Sequence, residues 1–359
     1  MFSSTAWKQK SSLLLAIATL SSFISGCSGK ITQANVATRN RSSTNSNRLD
    51  IVRQRGYLIC GVSGKIPGFS FVDFNGEYAG IDVDFCRAVA AALFDDPEKV
   101  EFRELSVEER FDALKSGEID LLSRNTTKTL SRDTDEDIEF THPIFYDFQG
   151  IMVNENKGIK SIQDLEGKSI CVAEGTTSYY NLRDYMNREN IAYKPLAGSD
   201  KDSLYNSYEY NNCQGITGNI SQLVARRILL ANPKQHTVLP QRISQEPLSP
   251  AVLHEDSQWF DVIKWVTFAL IQAEELNIDS TNIGIYEDSR DLEIESFLGK
   301  NNNLGSEMGL SNDFTRRIIR HVGNYREIYD RNIGQPFGLP RGKNALWRDG
   351  GLMYSPPFY

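Results

Sequence analysis

The stretch "VEERFDALKSGEIDLLSRNTTKTLSRD", residues 107–133, contains a helix pattern, a strand pattern and a polar loop in direct succession. Ser106, with Glu109 three residues later, forms a capping box that predicts the start of the helix, and Gly117 predicts its end. Residues 119–123 predict a buried strand. Because a short link joins the helix to the strand, the stretch is typical of an α/β fold.

The same alternation of strands and helices extends upstream. "YLICGVS" (57–63) predicts a buried strand, and Asn75-Gly76 marks a hairpin. "DVDFCRAVAAALF" (82–94) then predicts a helix before the strand "VEFREL" (100–105). A β-α-β-α-β order with short links predicts a mostly parallel sheet flanked by helices.

A second α/β unit begins after residue 147. Strand patterns at 148–154, 169–173 and 236–240 alternate with helix patterns, one of which starts at a Gly-Thr-Thr turn, 175–177. The restart of the pattern predicts two lobes, each a mostly parallel sheet flanked by helices.

The chain then returns to the first lobe. "ISQEPLSPAVLH" (243–254) predicts a returning strand, and "DSQWFDVIKWVTFALIQAEEL" (256–276) predicts a long amphipathic helix. Residues 311–333 predict another helix. The predicted boundaries are 48–146 for the first part of lobe 1, 147–242 for lobe 2, and 243–359 for the return to lobe 1 with a helical C-terminal extension.

The N-terminal sequence "MFSSTAWKQKSSLLLAIATLSSFISGC" has the pattern of an export signal, with two lysines, an apolar run and small residues ending at Cys27. The ending "ISGC" resembles a bacterial lipobox, so we predict a lipoprotein signal peptide at 1–26 and a lipid anchor on Cys27. The alternative is an ordinary signal peptide that happens to contain a cysteine. The polar residues 27–47 predict a flexible tether. The apolar run is short for a spanning helix, so we predict a periplasmic or otherwise extracytoplasmic protein that is lipid-anchored to the membrane.

The net charge bears on the class of partner. The chain of 359 residues carries a formal charge of −8, and loss of the signal peptide with its two lysines would take this to −10. Nucleic-acid binding requires a basic face, so the charge argues against it. A small zwitterionic ligand remains compatible, because its affinity depends on local groups.

The cysteines other than Cys27 are Cys60, Cys86, Cys171 and Cys213. Four cysteines allow three pairings. We favour Cys60 with Cys86 and Cys171 with Cys213, because each pair would lie within one lobe, and an extracytoplasmic compartment permits disulfides. Buried free thiols are the alternative. The cysteines are too widely spaced for paired zinc ligands, so no metal site is predicted.

Polar side chains at strand ends form the candidate site. In an open parallel sheet, the loops at the carboxyl ends of strands converge on the ligand crevice. Arg132 follows such a strand, and its guanidinium can hold a carboxylate through two charge-assisted bonds, with Asn125, Thr126 and Thr127 beside it. The turn at 175–177, which includes Thr176 and Thr177, opens a helix whose free N–H groups attract an anion. The alternatives are a solvated arginine in an ion pair and a simple helix start.

Several long stretches resemble a known family. They are "GVSGKIPGFS", "YAGIDVDFCRAVAAALF", "ERFDALKSGEIDLLSRNTTKTLSRD", "CVAEGTTSYYNL" and the tail "VGNYREIYDRNIGQPFGLPRGKNALWRDGGLMYSPP". Together they resemble the extracytoplasmic solute-binding proteins of amino-acid ABC importers, and within them the general L-amino-acid-binding subfamily. The resemblance implies the two-lobed type II periplasmic-binding-protein fold, with a ligand cleft between the lobes.

The resemblance also implies roles for individual residues. Arg132 and Thr127 would bind the α-carboxylate of the ligand, and Asn125 would contact it from the same loop. Thr177 would contribute from the second lobe. Phe69, in the first strand-end loop, would be the aromatic wall of the pocket.

The sequence departs from the family pattern at two positions. Relatives usually place an aspartate in the second lobe to hold the ligand ammonium, and Asn219 stands at that place. Glu174, next to the Gly-Thr-Thr turn, is a candidate for the missing charge, although a helix-capping carboxylate is the favoured interpretation. Lys128 stands where the subfamily often has tryptophan. We therefore predict that recognition of the α-amino group is weaker or altered.

The predicted function is that of the substrate-binding component of an ABC importer. Two crossovers, near 146–151 and 240–247, would let the lobes close on an amino acid or a related small carboxylate. The closed form would dock on the membrane permease that works with its ATPase. No cofactor is predicted, and we expect a monomer whose only membrane contact is its lipid anchor.

Two alternatives remain open. A sensory amino-acid-binding protein would have the same sequence pattern. An enzyme on the same scaffold would need an acid or a histidine in the cleft, for which Glu174 and His142 are the candidates, although His142 is more readily interpreted as structural.

Overall fold

The computed structural model describes residues 47–134 and 137–359. The predicted signal peptide, Cys27 and all of the tether except Asn47 lie outside the described residues. Within the described part, none of the helices has the length and apolar character needed to cross a bilayer.

The described residues form an alternating series of strands and helices. The strands are β1 (Leu58–Val62), β2 (Lys65–Ile66), β3 (Ser70–Val72), β4 (Tyr78–Ala79), β5 (Val100–Glu104), β6 (Leu121–Leu122), β7 (Ile138–Phe140), β8 (Phe145–Asn154), β9 (Ser169–Ala173), β10 (Lys194–Gly198), β11 (Gly215–Asn219), β12 (His236–Val238), β13 (Ser244–Leu248) and β14 (Ala251–Leu253). The helices are α1 (Arg48–Arg55), α2 (Ile81–Phe94), α3 (Arg110–Lys115), α4 (Leu130–Asp133), α5 (Thr177–Arg188), α6 (Lys201–Glu209), α7 (Ile220–Arg227), α8 (Ser257–Glu275), α9 (Leu292–Phe297), α10 (Leu304–Glu307), α11 (Phe314–Val322), α12 (Tyr325–Tyr329) and α13 (Gln335–Phe337).

Two main sheets form the framework, which confirms the α/β class. The first has the order β5-β1-β6-β14-β7, and the second has the order β10-β9-β11-β8-β12, with β13 also paired to β8. β1 is parallel to β5 and β6, and β9 is parallel to β10 and β11. One strand in each sheet runs opposite to the others, β14 in the first sheet and β8 in the second, so each sheet is mixed but mostly parallel, as predicted. The reason is that the chain passes from the first sheet to the second and back, which requires strands of opposite direction.

The two passages between the sheets run side by side. β8 and β13 pair with Phe145 opposite Leu248 and Asp147 opposite Glu246. The tail also holds this region, because Asn344 accepts a hydrogen bond from the Tyr146 N–H (2.6 Å) and donates one to the Tyr146 carbonyl (3.0 Å). The expected lobe boundaries fall in or beside this strand pair and remain predictions.

The long helix α8 occupies the centre of the first core. Trp259, Ile263 and Val266, the predicted apolar face, are fully buried. The Trp259 indole N–H donates to the carbonyl oxygen of Asp120 at 2.9 Å, which fixes the helix against the start of β6. The second sheet has a separate apolar cluster on each face.

Both predicted disulfides are confirmed. Cys60 of β1 is bonded to Cys86 of α2, and Cys171 of β9 is bonded to Cys213, just before β11, with Cα–Cα distances of 6.3 and 5.7 Å. Each bond connects elements of one sheet and its covering segments. Neither of these two disulfides crosses the passage between the sheets.

The prediction of one helix over 311–333 was wrong. The chain forms α11, ends it at Gly323, and begins α12 after an Asn324 cap. Gly323 has φ +87°, and a Cβ there would lie 2.6 Å from the Glu327 carboxylate, so this position requires glycine.

Candidate ligand-binding site

A cavity of about 50 Å³ lies between the two sheets. Its polar lining comes from both, with Arg110, Arg124, Asn125, Thr127 and Arg132 on the side of the first sheet and Thr176, Thr177, Lys201, Asn219 and Gln222 on the side of the second. Predicted residues Arg132, Thr127, Asn125, Thr177, Thr176 and Asn219 are therefore brought together.

The loop after β6 is held in place by the returning chain. Asn125 has φ +49°, a conformation that asparagine adopts more readily than most residues. The Lys128 N–H donates to the Pro247 carbonyl (2.8 Å), and the Ser249 N–H donates to the Thr126 carbonyl (3.0 Å). These bonds fix the loop to the segment around β13, so its side chains face the cavity from a rigid base.

Arg132 lies on the short helix α4. Its backbone N–H donates to the capping hydroxyl of Thr129, and its Nη1 donates to the Thr127 carbonyl at 2.7 Å. The guanidinium also lies over the Phe111 ring, 5.6 Å from its centroid. Burial lowers the pKa of Arg132, and the negative charge of Glu246 partly opposes that effect. Arg132 also lines the cavity.

The two threonines of the predicted carboxylate site meet at a protein carboxylate. Thr127 and Thr177, from opposite sides of the cavity, have hydroxyl oxygens 3.4 Å apart. Both hydroxyls donate to Glu246 Oε2, the Thr177 bond being 2.8 Å long. Asn181 Nδ2 (2.8 Å) and the Ser244 hydroxyl donate to the other carboxylate oxygen. Glu246 was not among the residues predicted from the sequence, where its signal was an acid within the returning strand pattern.

Three further cationic side chains line the cavity. Arg110 and Arg124 are 4% and 6% exposed, and Lys201 Nζ donates to the Gln222 side-chain oxygen at 2.9 Å. Burial, assisted by the charges of Arg124 and Arg110, lowers the pKa of Lys201 to about 7. Sequence reasoning missed all three. Arg124 is part of the opening stretch, but its pattern alone does not distinguish a cleft residue from a surface one.

Asn219 lies at the predicted position facing the cavity. It is 7% exposed and precedes helix α7, and its Nδ2 has no hydrogen-bond partner within the described residues. Across the cavity, Gln222 Nε2 donates to Asn125 Oδ1. The cavity has room for only a few water-sized groups, so we expect this contact to separate when a ligand enters.

Other predicted residues lie elsewhere. Phe69 is 1% exposed and packs in the core, with its ring 5.1 Å from that of Phe145, so it does not form the expected cavity wall. Glu174 is exposed and also lies outside the cavity lining, so its position does not supply the missing charge beside Asn219. Lys128 donates to the Phe140 carbonyl at 3.0 Å. His142 packs against Phe268, and burial lowers its pKa to about 4.

No group of three or more metal-ligating side chains occurs among residues 47–134 and 137–359.

Comparison with known proteins gives one family and several close relatives. Residues 58–335 match the bacterial extracellular solute-binding proteins, family 3. The chain is 43% identical over 320 residues to the general L-amino acid-binding periplasmic protein AapJ of Rhizobium johnstonii, which covers 88% of this chain and 94% of the relative. It is 42% identical over 319 residues to the glutamate/glutamine/aspartate/asparagine-binding protein BztA of Rhodobacter capsulatus, with 88% and 94% coverage.

A solved structure gives the same result at the level of the fold. It is an ABC transporter periplasmic binding protein from Brucella ovis with glutathione bound. The TM-score is 0.86 at 42% sequence identity, and the match covers 88% of this chain and 100% of that one.

Proposed function

The chain belongs to the bacterial extracellular solute-binding proteins, family 3, and we propose that it captures an amino acid, or a related small carboxylate, for an ABC importer. The observation that carries this proposal is the cavity between two sheets that are joined by the adjacent strands β8 and β13. A ligand held from both sides stabilises the closed arrangement of the two lobes. Bending of the two connecting strands would let the lobes open.

Arg132 is the proposed carboxylate anchor. It reaches the cavity from a short helix whose start is capped by Thr129, and it is held by a bond to the Thr127 carbonyl. A charge-assisted hydrogen bond contributes about 1.5 to 3 kcal/mol to binding. Thr127 and Thr177 both bind Glu246, whose negative charge acts on the Arg132 guanidinium.

The proposal is one of binding without catalysis. The two groups considered for acid–base chemistry lie away from the cavity, since Glu174 is exposed and His142 packs against Phe268. The partner is then a membrane permease with its ATPase, which takes the ligand from the closed form. Attachment through Cys27, a periplasmic or extracytoplasmic location and a monomeric state complete the proposal.

Thermal unfolding with a panel of amino acids and small carboxylates tests capture, because a ligand that binds only the folded state raises the melting temperature. Isothermal titration calorimetry then gives the dissociation constant of the best ligand. We expect Arg132→Gln to weaken it by roughly 10- to 100-fold, the equivalent of one charge-assisted bond.

Arg183→Gln is the matched control. Arg183 is exposed and pairs with Asp184, away from the cavity, so its replacement should leave the dissociation constant unchanged. A panel without any stabilising compound would overturn the proposed function. An Arg132→Gln variant that binds as well as the parent would remove the assigned anchor.

A further inference from the structure

The charged side chains around the cavity fall into two groups by their interactions. The threonine group is Arg132 with Thr127 and Thr177, and the charge of its arginine is opposed by Glu246. The lysine group is the remaining three cations, Arg110, Arg124 and Lys201. The pKa of Lys201 responds to both arginines of the group, and that of Arg110 responds to Arg124 and to Arg132. Both groups line the same cavity, so one small molecule can contact both.

The lysine group lacks a matching carboxylate at the cavity. None of the described lining residues is an aspartate or a glutamate. Asp82 lies behind Arg124, and burial raises its pKa to about 7, so its carboxyl is only partly ionised at neutral pH. Glu108 acts on both Arg110 and Arg124, and Glu109 acts on Arg124, but both acids are exposed, where solvent and salt weaken their effect.

Lys201 has two further charged neighbours outside the cavity. Arg226 adds to the positive field, and Asp202 opposes it, although the Asp202 carboxylate already accepts a hydrogen bond from Arg226. The lowered pKa of Lys201 reflects burial and this surplus of positive charge. An anion placed among the three cations would relieve their repulsion.

The free hydrogen-bonding groups of the cavity also match an anion. Arg110 Nε, Asn125 Nδ2 and Asn219 Nδ2 are buried atoms without a partner in the described chain. All three are donors, so a ligand satisfies them with acceptor atoms. Arg110 and Asn219 are more than nine-tenths buried.

The position that would receive a ligand ammonium carries no charge. Asn219 offers an amide, and the oxygens of the Glu246 carboxylate are engaged by two threonines, an asparagine and a serine. An ammonium ion gains most from a carboxylate in a dry site, because an amide dipole is a weaker partner than a full charge.

We propose that the cleft selects a small dicarboxylate, one carboxylate at Arg132 and the other at the lysine group, and that an α-amino group on this ligand adds little to binding. The inference rests on the proposed capture function and narrows its ligand. Such a preference would distinguish this chain from a binding protein that recognises the ammonium and carboxylate groups common to all amino acids.

Calorimetry with glutamate, glutamine and glutarate tests the inference. These compounds differ by one group at a time, because glutamine lacks the second carboxylate and glutarate lacks the amino group. We expect glutarate to bind within about tenfold of glutamate and glutamine to bind at least tenfold more weakly. Glutamine binding as tightly as glutamate, or glutarate binding more than a hundredfold more weakly, would overturn it.

The outcome separates this inference from the proposed function. If another amino acid binds tightly and no dicarboxylate competes with it, capture stands and the dicarboxylate inference fails. If neither the amino acids nor the dicarboxylates bind, both fail.

Two variants test the residues. Lys201→Gln should weaken the binding of glutamate by about tenfold and leave that of glutamine nearly unchanged. Lys194→Gln, which replaces an exposed lysine of β10, should affect neither. Asn219→Asp should shift the preference from glutarate toward glutamate by about tenfold, since it restores a charge for the ammonium. Melting temperatures without ligand show whether each variant is folded. Two results would count against the assignment. One is an equal loss of affinity for glutamate and glutamine in Lys201→Gln, and the other is an unchanged ratio of glutarate to glutamate affinity in Asn219→Asp.

Discussion

The threonine group and the lysine group present cations to the same cavity, but only one of them is balanced by the protein. Beside Arg132, the Glu246 carboxylate accepts from Thr127 and Thr177 and so joins the two sides of the cavity. Four acids act on the lysine group, but burial raises the pKa of Asp82, Glu108 and Glu109 are exposed, and Asp202 is already engaged by Arg226. The difference indicates that the first group is organised in advance and supports closure, while the second depends on the ligand for its balancing charge.

Glu246→Gln should have the largest effect, because it breaks the balanced group. One carboxylate oxygen becomes an NH₂, which cannot accept from the donors that now meet it, and Arg132 loses its neighbouring negative charge. Removing one member of a buried charged network costs about 3 kcal/mol. We expect the free energy of unfolding, measured by urea titration, to fall by roughly that amount.

Glu174→Gln is the matched control for this change. Glu174 is exposed and lies outside the cavity, so its replacement should change the free energy of unfolding by less than about 0.5 kcal/mol. A Glu246→Gln variant as stable as the control would show that the Glu246 carboxylate is not needed to stabilise the arrangement of Arg132 and the two threonines.

The same contrast shows what the sequence could reveal. The strand–loop pattern at 119–133 was enough to predict Arg132, Thr127 and Asn125 at a cavity, because strand ends in an α/β sheet converge. The disulfide pairs followed from their positions within each lobe. The lobe boundaries and the ligand contacts stay predictions.

The members of the lysine group could not be predicted in the same way. Arg110 begins α3 and Lys201 begins α6. These helices pack on different sheets, so only the tertiary arrangement brings the two residues together. Glu246 lies in a strand whose alternating pattern is equally compatible with an acid that faces solvent. Phe69 was assigned to the cavity by resemblance, yet its ring completes the core beside Phe145.

Asp82→Asn tests whether the lysine group is balanced by an acid outside the cavity, because Asp82 acts on Arg124. Asp82 is 2% exposed, and burial raises its pKa to about 7, above the ordinary value near 4. The folded state therefore binds this proton more tightly than the unfolded state. The stabilising contribution of the protonated form is complete below about pH 4 and is lost as the pH rises to about 7.

A neutral asparagine removes this loss. We expect Asp82→Asn to be more stable than the parent at pH 8, by on the order of 2 kcal/mol, with a smaller difference at pH 5. Denaturant titrations at both pH values measure it. Asp147, whose pKa burial raises to about 6, titrates in parent and variant alike and so cancels in the comparison.

Asp184→Asn, a change at an exposed acid, should show no such pH dependence. If the difference between Asp82→Asn and the parent is the same at pH 5 and pH 8, the buried carboxyl is not protonated in the folded protein. The lysine group would then be partly balanced from behind, and the contrast between the two groups would be smaller.

The smallest expected effect is a proton taken up when the ligand binds. Burial and the neighbouring arginines hold the pKa of Lys201 at about 7, so at pH 7.5 a part of the lysine population is neutral. A carboxylate beside it favours the charged form and raises that pKa, so binding should draw a fraction of one proton from the buffer. Calorimetry of glutarate binding in phosphate and in Tris, which differ in ionisation enthalpy, measures the uptake. Lys201→Gln should abolish the proton uptake, and Lys194→Gln should preserve it. Equal binding heats in the two buffers for the parent would mean that Lys201 is already charged without a ligand. The lysine group would then tolerate the repulsion between its own cations.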